Sequence, residues 1–386
     1  MQNNPVQIYS DCYEKVRDKD FKGYDPYDLL NCGDKAWKKL PHRVLFYLTQ
    51  VNKRSPVNFR PAMGVEKTLI PKGKSLILSS LLKISSIGQS EDEIKMLVGS
   101  ILNDKFDGYH GACWGLPFEY ANRKTVRNNN IGDVVATSYV HEGLFNHYQH
   151  YRDEEIKSVL LSCSEFVLMD LEVQEHREGL KLNYDTQKDT TVFNAIGLAS
   201  DILVRNYQLN ESGKQIGFAE KLLNYIVYHQ EENGLFPYSL QGNSKKYQTD
   251  FHQLYVISSL LNFKNATGSK KFDKTIERGL NFYLENQVSP DGAIYWRLPK
   301  KYPIDIHNQA SAIYYLSKFS KSLEFDYSFI DRIYHYAVEN FYSYEKNYFY
   351  YQKYPLFVNK VNYVRWGQAW MLYALSEYIN FKNRCQ

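Results

Sequence analysis

Near residue 250 the chain reads "YQTDFHQLYVISSLL" and 55 residues later "YPIDIHNQASAIYYL". Each places an acid and a histidine at the head of a run that is apolar or small on almost every side. A helix of that kind must be buried all round. The unit recurs: an amphipathic helix, a Gly- or Asn-marked turn, a short aromatic extended piece, then an all-apolar helix. Its clearest copies span 233–261, 291–316 and 346–375, with looser ones at 178–203 and 111–145 and a weaker opening unit at 57–82. A fixed period decides architecture before any local propensity does.

Aligned on the head of the apolar helix, the copies place His141, Asn194, His252, His307 and Arg365 in one column, at intervals of 53, 58, 55 and 58 residues. Between them, segments such as 218–230 and 272–287 carry one apolar face at i, i+3, i+4, i+7 and one charged face. Buried helices alternating six times with half-buried ones describe two concentric rings. The expected fold is therefore an all-α, (α/α)6 toroid of six helical hairpins over 57–386, with residues 1–56 an N-terminal extension packing on the ring. In such a ring the inner helices run one way, so their N-termini converge on one end of the central cavity. The unsatisfied N–H groups there favour an anionic ligand.

Bulk properties narrow the function. The net charge is +4 with no basic block, which speaks against nucleic acid as partner. No run approaches the roughly 18 apolar residues of a membrane span, and the start shows no apolar leader core. The five cysteines are scattered without metal-site spacing. These features lead to an expectation of a cytoplasmic protein without cofactor or metal. The 34 tyrosines suit stacking on sugar rings, although an A/T-rich genome inflates Tyr, Phe, Lys, Asn and Ile together.

The six-hairpin pattern over 57–380 resembles unsaturated glucuronyl hydrolases, the toroidal domains of uronate lyases, glucuronyl C5-epimerases, and terpenoid cyclases with protein prenyltransferases. The Asp-rich cyclase motifs are missing from the sequence, which makes isoprenoid chemistry a minor alternative. The stretch "YDPYDLLN" (24–31) resembles the opening of proteins encoded among bacterial capsule and O-antigen polysaccharide genes, often labelled aminolevulinate dehydratase. That label finds no β/α-barrel alternation or metal cluster here. The two resemblances together imply a carbohydrate-active protein of surface-polysaccharide biosynthesis. An acidic oligo- or polysaccharide would be its ligand, and glycosyltransferases at the inner membrane are possible associates.

Candidate chemistry sits at the helix heads. Asp250 and Asp305 could form the carboxylate pair of a hydrolase, yet Asp-x-x-Gln and Asp-x-x-Asn are equally N-cap signatures. His252 and His307, two positions on, would not face those acids across a helix turn. Near a helix N-terminus an imidazole tends to stay neutral and fit to act as a base, though a buried histidine satisfied by tyrosine or carbonyl is the plainer reading. His141, Asn194 and Arg365 would bind substrate from the same column, Arg365 by clamping a uronate carboxylate, with Arg60 and Arg127 as possible helpers. Trp114 and Glu119 of the second unit, with Tyr184, Tyr238, Tyr295, Trp296 and Tyr350 in the equivalent aromatic pieces, would ring the rim. With this set the expected chemistry is proton abstraction on a uronate (epimerase or lyase) or hydrolysis; the alternative is a non-catalytic glycan-binding or scaffold toroid.

Overall fold

A computed structural model describes residues 4–33, 35–84, 90–123, 125–187, 191–241 and 244–385. The chain opens with α1 (Pro5–Arg17), followed by α2 (His42–Arg54) and the short α3 (Arg60–Met63). Then inner and outer helices alternate. The inner ones are α4 (Pro71–Lys83), α6 (Val134–Tyr151), α8 (Phe193–Asn210), α10 (His252–Thr267), α12 (Ile306–Phe319) and α14 (Ala369–Cys385). The outer ones are α5 (Glu91–Asn103), α7 (Glu154–Glu165), α9 (Gly213–Tyr228), α11 (Asp273–Asn286) and α13 (Ser328–Phe341). Each inner helix packs on the next, and α14 packs on α4, which closes the ring. The sixth outer position, against α14, is taken by α1. The fold is the all-α (α/α)6 toroid that the repeat implies.

The two rings differ as their sequences require. Every residue of Pro71–Leu82, Ile306–Ser317 and Ala369–Ile379 is buried. On α11, by contrast, Ile276, Leu280 and Tyr283 face inward while Glu277, Arg278 and Glu285 are exposed. The turns owe their glycines to close packing. Gly234 (φ +92°) and Gly292 (φ +93°) lie where a Cβ would come within 2.2 Å of the Arg278 carbonyl and 2.3 Å of the Arg332 carbonyl, on the neighbouring outer helices. Asn347 fills the same role in the last unit with φ +55°.

A glutamine near the head of an inner helix then stitches each turn down. Gln253 Oε1 accepts the Phe236 N–H (3.0 Å) while its Nε2 donates to the Gly234 carbonyl (2.9 Å). Gln368 does the same with both backbone groups of Phe349. Gln253 is therefore a turn anchor, not the back-bonding member of a capping box.

Short antiparallel strands join neighbouring units at the same end of the ring. Thr191–Val192 pairs with Ser239–Gln241, and Ile304–Asp305 pairs with Gln352–Lys353. The segment 23–31 is laid across this end, bridging Tyr24 to Tyr363 and Gly23 to Thr68. At the opposite end the bore is plugged by a buried polar network. Glu142 accepts from Tyr373 (2.9 Å) and Tyr314 (3.3 Å), Asp201 from Ser259 and Asn262, and Lys83 pairs with Glu377 (2.6 Å).

Candidate functional site

Where the inner-helix N-termini converge lies a cavity of about 1230 Å³. All six units reach its wall from one structural position: Lys72 of α4, Val135 of α6, Asn194 of α8, His252 of α10, His307 of α12, and Arg365 in the π-helical turn Val364–Gln368 that precedes α14. The column read from sequence is right in four of these places. His141 is a correction: the register in that unit was six residues too far along, so His141 lies two turns inside α6. There it is wholly buried, its Nε2 2.9 Å from Asn206 Oδ1 and its Nδ1 accepting from Arg205 Nε (3.3 Å). Burial and the Arg205 charge push its pKa down to about 3, so it is a neutral core residue away from the cavity wall.

At the head of α10, His252 Nδ1 contacts Asp250 Oδ1, and the other Asp250 oxygen accepts from Gln248 (2.9 Å) and Arg297 (3.3 Å). Asp250 precedes the helix, so its carboxylate can swing to the ring despite the i, i+2 spacing. This is a departure from the expectation that the two would not meet. A carboxylate on Nδ1 makes that nitrogen the donor and leaves Nε2 as an acceptor without a protein partner among the described residues. Asp250 itself is buried behind His252 and does not line the cavity.

His307 is arranged differently. Its Nδ1 faces the Trp366 carbonyl (3.3 Å), which only accepts, so Nε2 must accept from the Tyr255 hydroxyl at 3.1 Å. Burial, with Lys72 and Arg365 nearby, pushes the imidazole well below its usual pKa and keeps it neutral. Burial likewise raises the Tyr255 phenol, which stays protonated. The rings of His252 and His307 flank Phe251 at 4.2 and 4.4 Å, and Tyr255 lies 5.8 Å from His252. An acceptor nitrogen and a protonated phenol thus share one stretch of wall.

Asp305 is the second correction. Its Oδ1 accepts the His307 N–H (2.8 Å) and Trp366 Nε1 (3.0 Å), and Oδ2 accepts from Gln352 (2.6 Å). Fully buried and fully bonded, it caps α12 and does not reach the cavity. The Asp250/Asp305 pair does not face a common ligand. The carboxylates on the wall are instead Asp133, Asp185 and Glu175, and the first two share Arg127 at 3.6 and 3.4 Å.

Arg365 reaches the wall already engaged. Asp25 of the 24–31 segment takes it bidentately, at 2.7 and 2.9 Å. Arg60 is likewise held away from the cavity, by Asp28, the Asp25 carbonyl and Tyr363. Both acids of "YDPYD" thus neutralise an arginine, and Tyr27 between them lines the cavity.

The expected aromatic rim divides. Tyr184 and Tyr238 line the cavity, and burial pushes the Tyr238 phenol up to about 12. Trp114 does not: it is a core side chain whose Nε1 donates to the Ile101 carbonyl (2.8 Å). Glu119 points away to Lys38 (3.4 Å), Lys301 lies over Tyr295, and Arg297 lies over Trp296. Neither these nor Tyr350 belongs to the wall. Asn194 does, with its Oδ1 buried and unpartnered.

Lys72 was missed in the sequence, because the weak first unit gave no register for it. It is buried at the head of α4, with Nζ 3.9 Å from the centre of the Tyr139 ring and 5.2 Å from that of Trp370. No hydrogen-bond acceptor meets it among the described residues. Burial and Arg365 push its amine well below the usual lysine range. Among the described residues, eight lysines and arginines line the cavity against three acids. The described residues hold no His/Cys/Asp/Glu cluster fit for a metal, and no helix is long and apolar enough to cross a membrane.

No protein-family model and no curated protein matches this sequence. Solved structures do match in fold. A GH76 α-mannanase from Bacteroides thetaiotaomicron superposes with TM-score 0.64 at 12% identity, over 82% of this chain and 87% of its own. The cellobiose 2-epimerase of Bacillus thermoamylovorans gives 0.64 at 11%, over 81% and 88%. A possible GH105 member from Klebsiella pneumoniae gives 0.63 at 11%, over 97% and 93%. At such identities the likeness is one of fold.

Proposed function

We propose that the chain is a carbohydrate-active enzyme that moves a proton on an acidic, uronate-containing glycan bound at the inner-helix N-termini. The carrying observation is the pairing, on one cationic wall, of an acid-backed imidazole with a free acceptor nitrogen (Asp250–His252) and a protonated phenol backed by a neutral imidazole (Tyr255–His307). In this reading His252 Nε2 removes the proton α to the carboxylate. Tyr255 donates a proton to the developing charge or to the opposite face, and His307 holds the phenol in place. Lys72, the cation without a counter-charge, takes the substrate carboxylate. Tyr184 and Tyr238 offer faces for sugar rings. Reprotonation from the other face makes the reaction an epimerisation; loss of a β-substituent makes it a lyase.

The fold supports a sugar ligand by analogy, since matching structures are titled as a mannanase and a sugar epimerase. Surface-polysaccharide biosynthesis in the cytoplasm is the setting that the "YDPYDLLN" resemblance favours. Hydrolysis is the second reading, favoured by Asp133 and Asp185 facing the cavity side by side. The test is incubation with matched acidic and neutral oligosaccharides, read by ultraviolet absorbance for unsaturated uronate, by reducing ends and by NMR for C5 epimers. An epimer or unsaturated product from acidic chains alone supports the proposal. New reducing ends lost in Asp133→Asn would move the assignment to hydrolysis. Binding without turnover would make the toroid a glycan-binding protein.

A further inference from the structure

The helix α2 is packed the wrong way round for a helix serving only its own fold. It turns Thr49, Asn52 and Lys53 inward and presents Val44, Tyr47 and Val51 to solvent, the last two 67% and 62% exposed. These three fall within about 60° on a helical wheel, beside Leu48 and next to Arg43 and Arg54. A second apolar element adjoins its C-terminal end. Asn359 Nδ2 donates to the Ser55 carbonyl (2.9 Å), which ties the 352–359 hairpin to the end of α2, and that hairpin carries Leu356 at its tip, 96% exposed.

The surrounding charge is of one sign. Residues 35–65 hold seven lysines and arginines and no Asp or Glu. Lys53 and Arg60 are buried and Lys38 meets Glu119, but Lys35, Lys39, Arg43 and Arg54 are exposed around the apolar stripe. An apolar stripe edged by cations matches the chemistry of an anionic lipid surface, in which the rings and aliphatics sink below the headgroups while the cations pair with phosphates. A second copy of the same face would bring four like charges together. Because Phe46 and Gln50, on the flank of α2, line the cavity, whatever α2 docks on lies beside the cavity mouth.

We infer that α2 and the 352–359 hairpin tip form a peripheral docking surface for an anionic phospholipid bilayer, setting the mouth of the cavity at the membrane face. The inference stands whether or not the cavity turns a substrate over.

It is tested by co-sedimentation of the full chain with vesicles of phosphatidylcholine alone and of phosphatidylcholine mixed with phosphatidylglycerol. The expected result is binding to the mixed vesicles only, weakened by salt. Arg43→Glu with Arg54→Glu, and separately Tyr47→Ser with Val51→Ser and Leu356→Ser, should each lower the bound fraction about tenfold or more. All substituted positions are surface residues, so the thermal melt should not move. No binding, equal binding to both vesicle types, or variants that bind as wild type would overturn the inference. A wild-type dimer in solution that the same substitutions dissolve, with no vesicle binding, would overturn it in favour of self-association.

Discussion

Replacing Asp25 by Asn removes one charge from a pair whose members are 1% and 10% exposed, and leaves the Arg365 guanidinium buried without its two carboxylate bonds. Breaking a buried pair from one side costs about 3–5 kcal/mol. For a cooperative chain of this length, with an unfolding entropy near 0.8 kcal/mol/K, 4 kcal/mol corresponds to about 5 °C in Tm. Removing both charges, as Asp25→Asn with Arg365→Met, should recover most of that loss, because no uncompensated ion remains. Urea denaturation of wild type, both single variants and the double variant measures the coupling. A strongly non-additive cycle is expected. Additivity within about 0.5 kcal/mol, or a loss below about 1 kcal/mol for Asp25→Asn, would refute the claim that this pair is a desolvated tether for the N-terminal segment. In Asp25→Asn the guanidinium is also freed toward the cavity, so an acidic ligand should bind more tightly than to wild type and restore part of the lost stability.

Other perturbations probe the ring and its floor. Gly234→Ala forces a Cβ against the Arg278 carbonyl at positive φ and should cost on the order of 3 kcal/mol, read by denaturant midpoint; a loss under about 1 kcal/mol would mean that the turn can shift. Glu377 is buried, which alone would raise its pKa, but Lys83 and Lys321 bring it down to about 2. Its folded pKa lies below the unfolded one, so its contribution of about 3 kcal/mol is present above pH ~4.5 and lost as pH falls toward 2. Glu377→Gln should flatten that part of the acid-stability curve, and an unchanged acid limb would contradict the assignment. Lys72→Met should weaken acidic-oligosaccharide binding at least about tenfold and leave neutral-sugar binding and the melt alone, as isothermal calorimetry can show. Equal losses for both ligand classes would rule out Lys72 as a carboxylate anchor.

The architecture was legible because it is periodic. An all-apolar helix every 55 to 58 residues has few ways to be buried, and ring closure is one of them. The site was legible only where the repeat kept both its register and its residue types, as at Asn194, His252 and His307. In the second unit the helix head is marked by Asp133, the cap of α6, and the nearest histidine, His141, was a core residue that captured the alignment. Lys72 sits in a first unit too degenerate to align, although stepping the period back from Val135 would have pointed near it. The pairing of Asp25 with Arg365 spans 340 residues, and no local pattern carries it. Two aromatics, Trp114 and Trp296, were expected at the rim because aromatic pieces recur there. Alternation along an extended piece sends neighbouring side chains to opposite faces, and which face meets the cavity depends on strand pairing that composition does not encode.

The central claim is that His252 removes a proton from an acidic sugar in this cavity. It is tested most directly by incubating uronate oligosaccharides in deuterated water with wild type and with His252→Asn, then reading deuterium at C5 by NMR. The account expects incorporation by wild type and its loss in a folded His252→Asn. Incorporation that survives the substitution would contradict His252 as the base. Its absence from wild type, with the same sugars bound, would contradict proton transfer altogether.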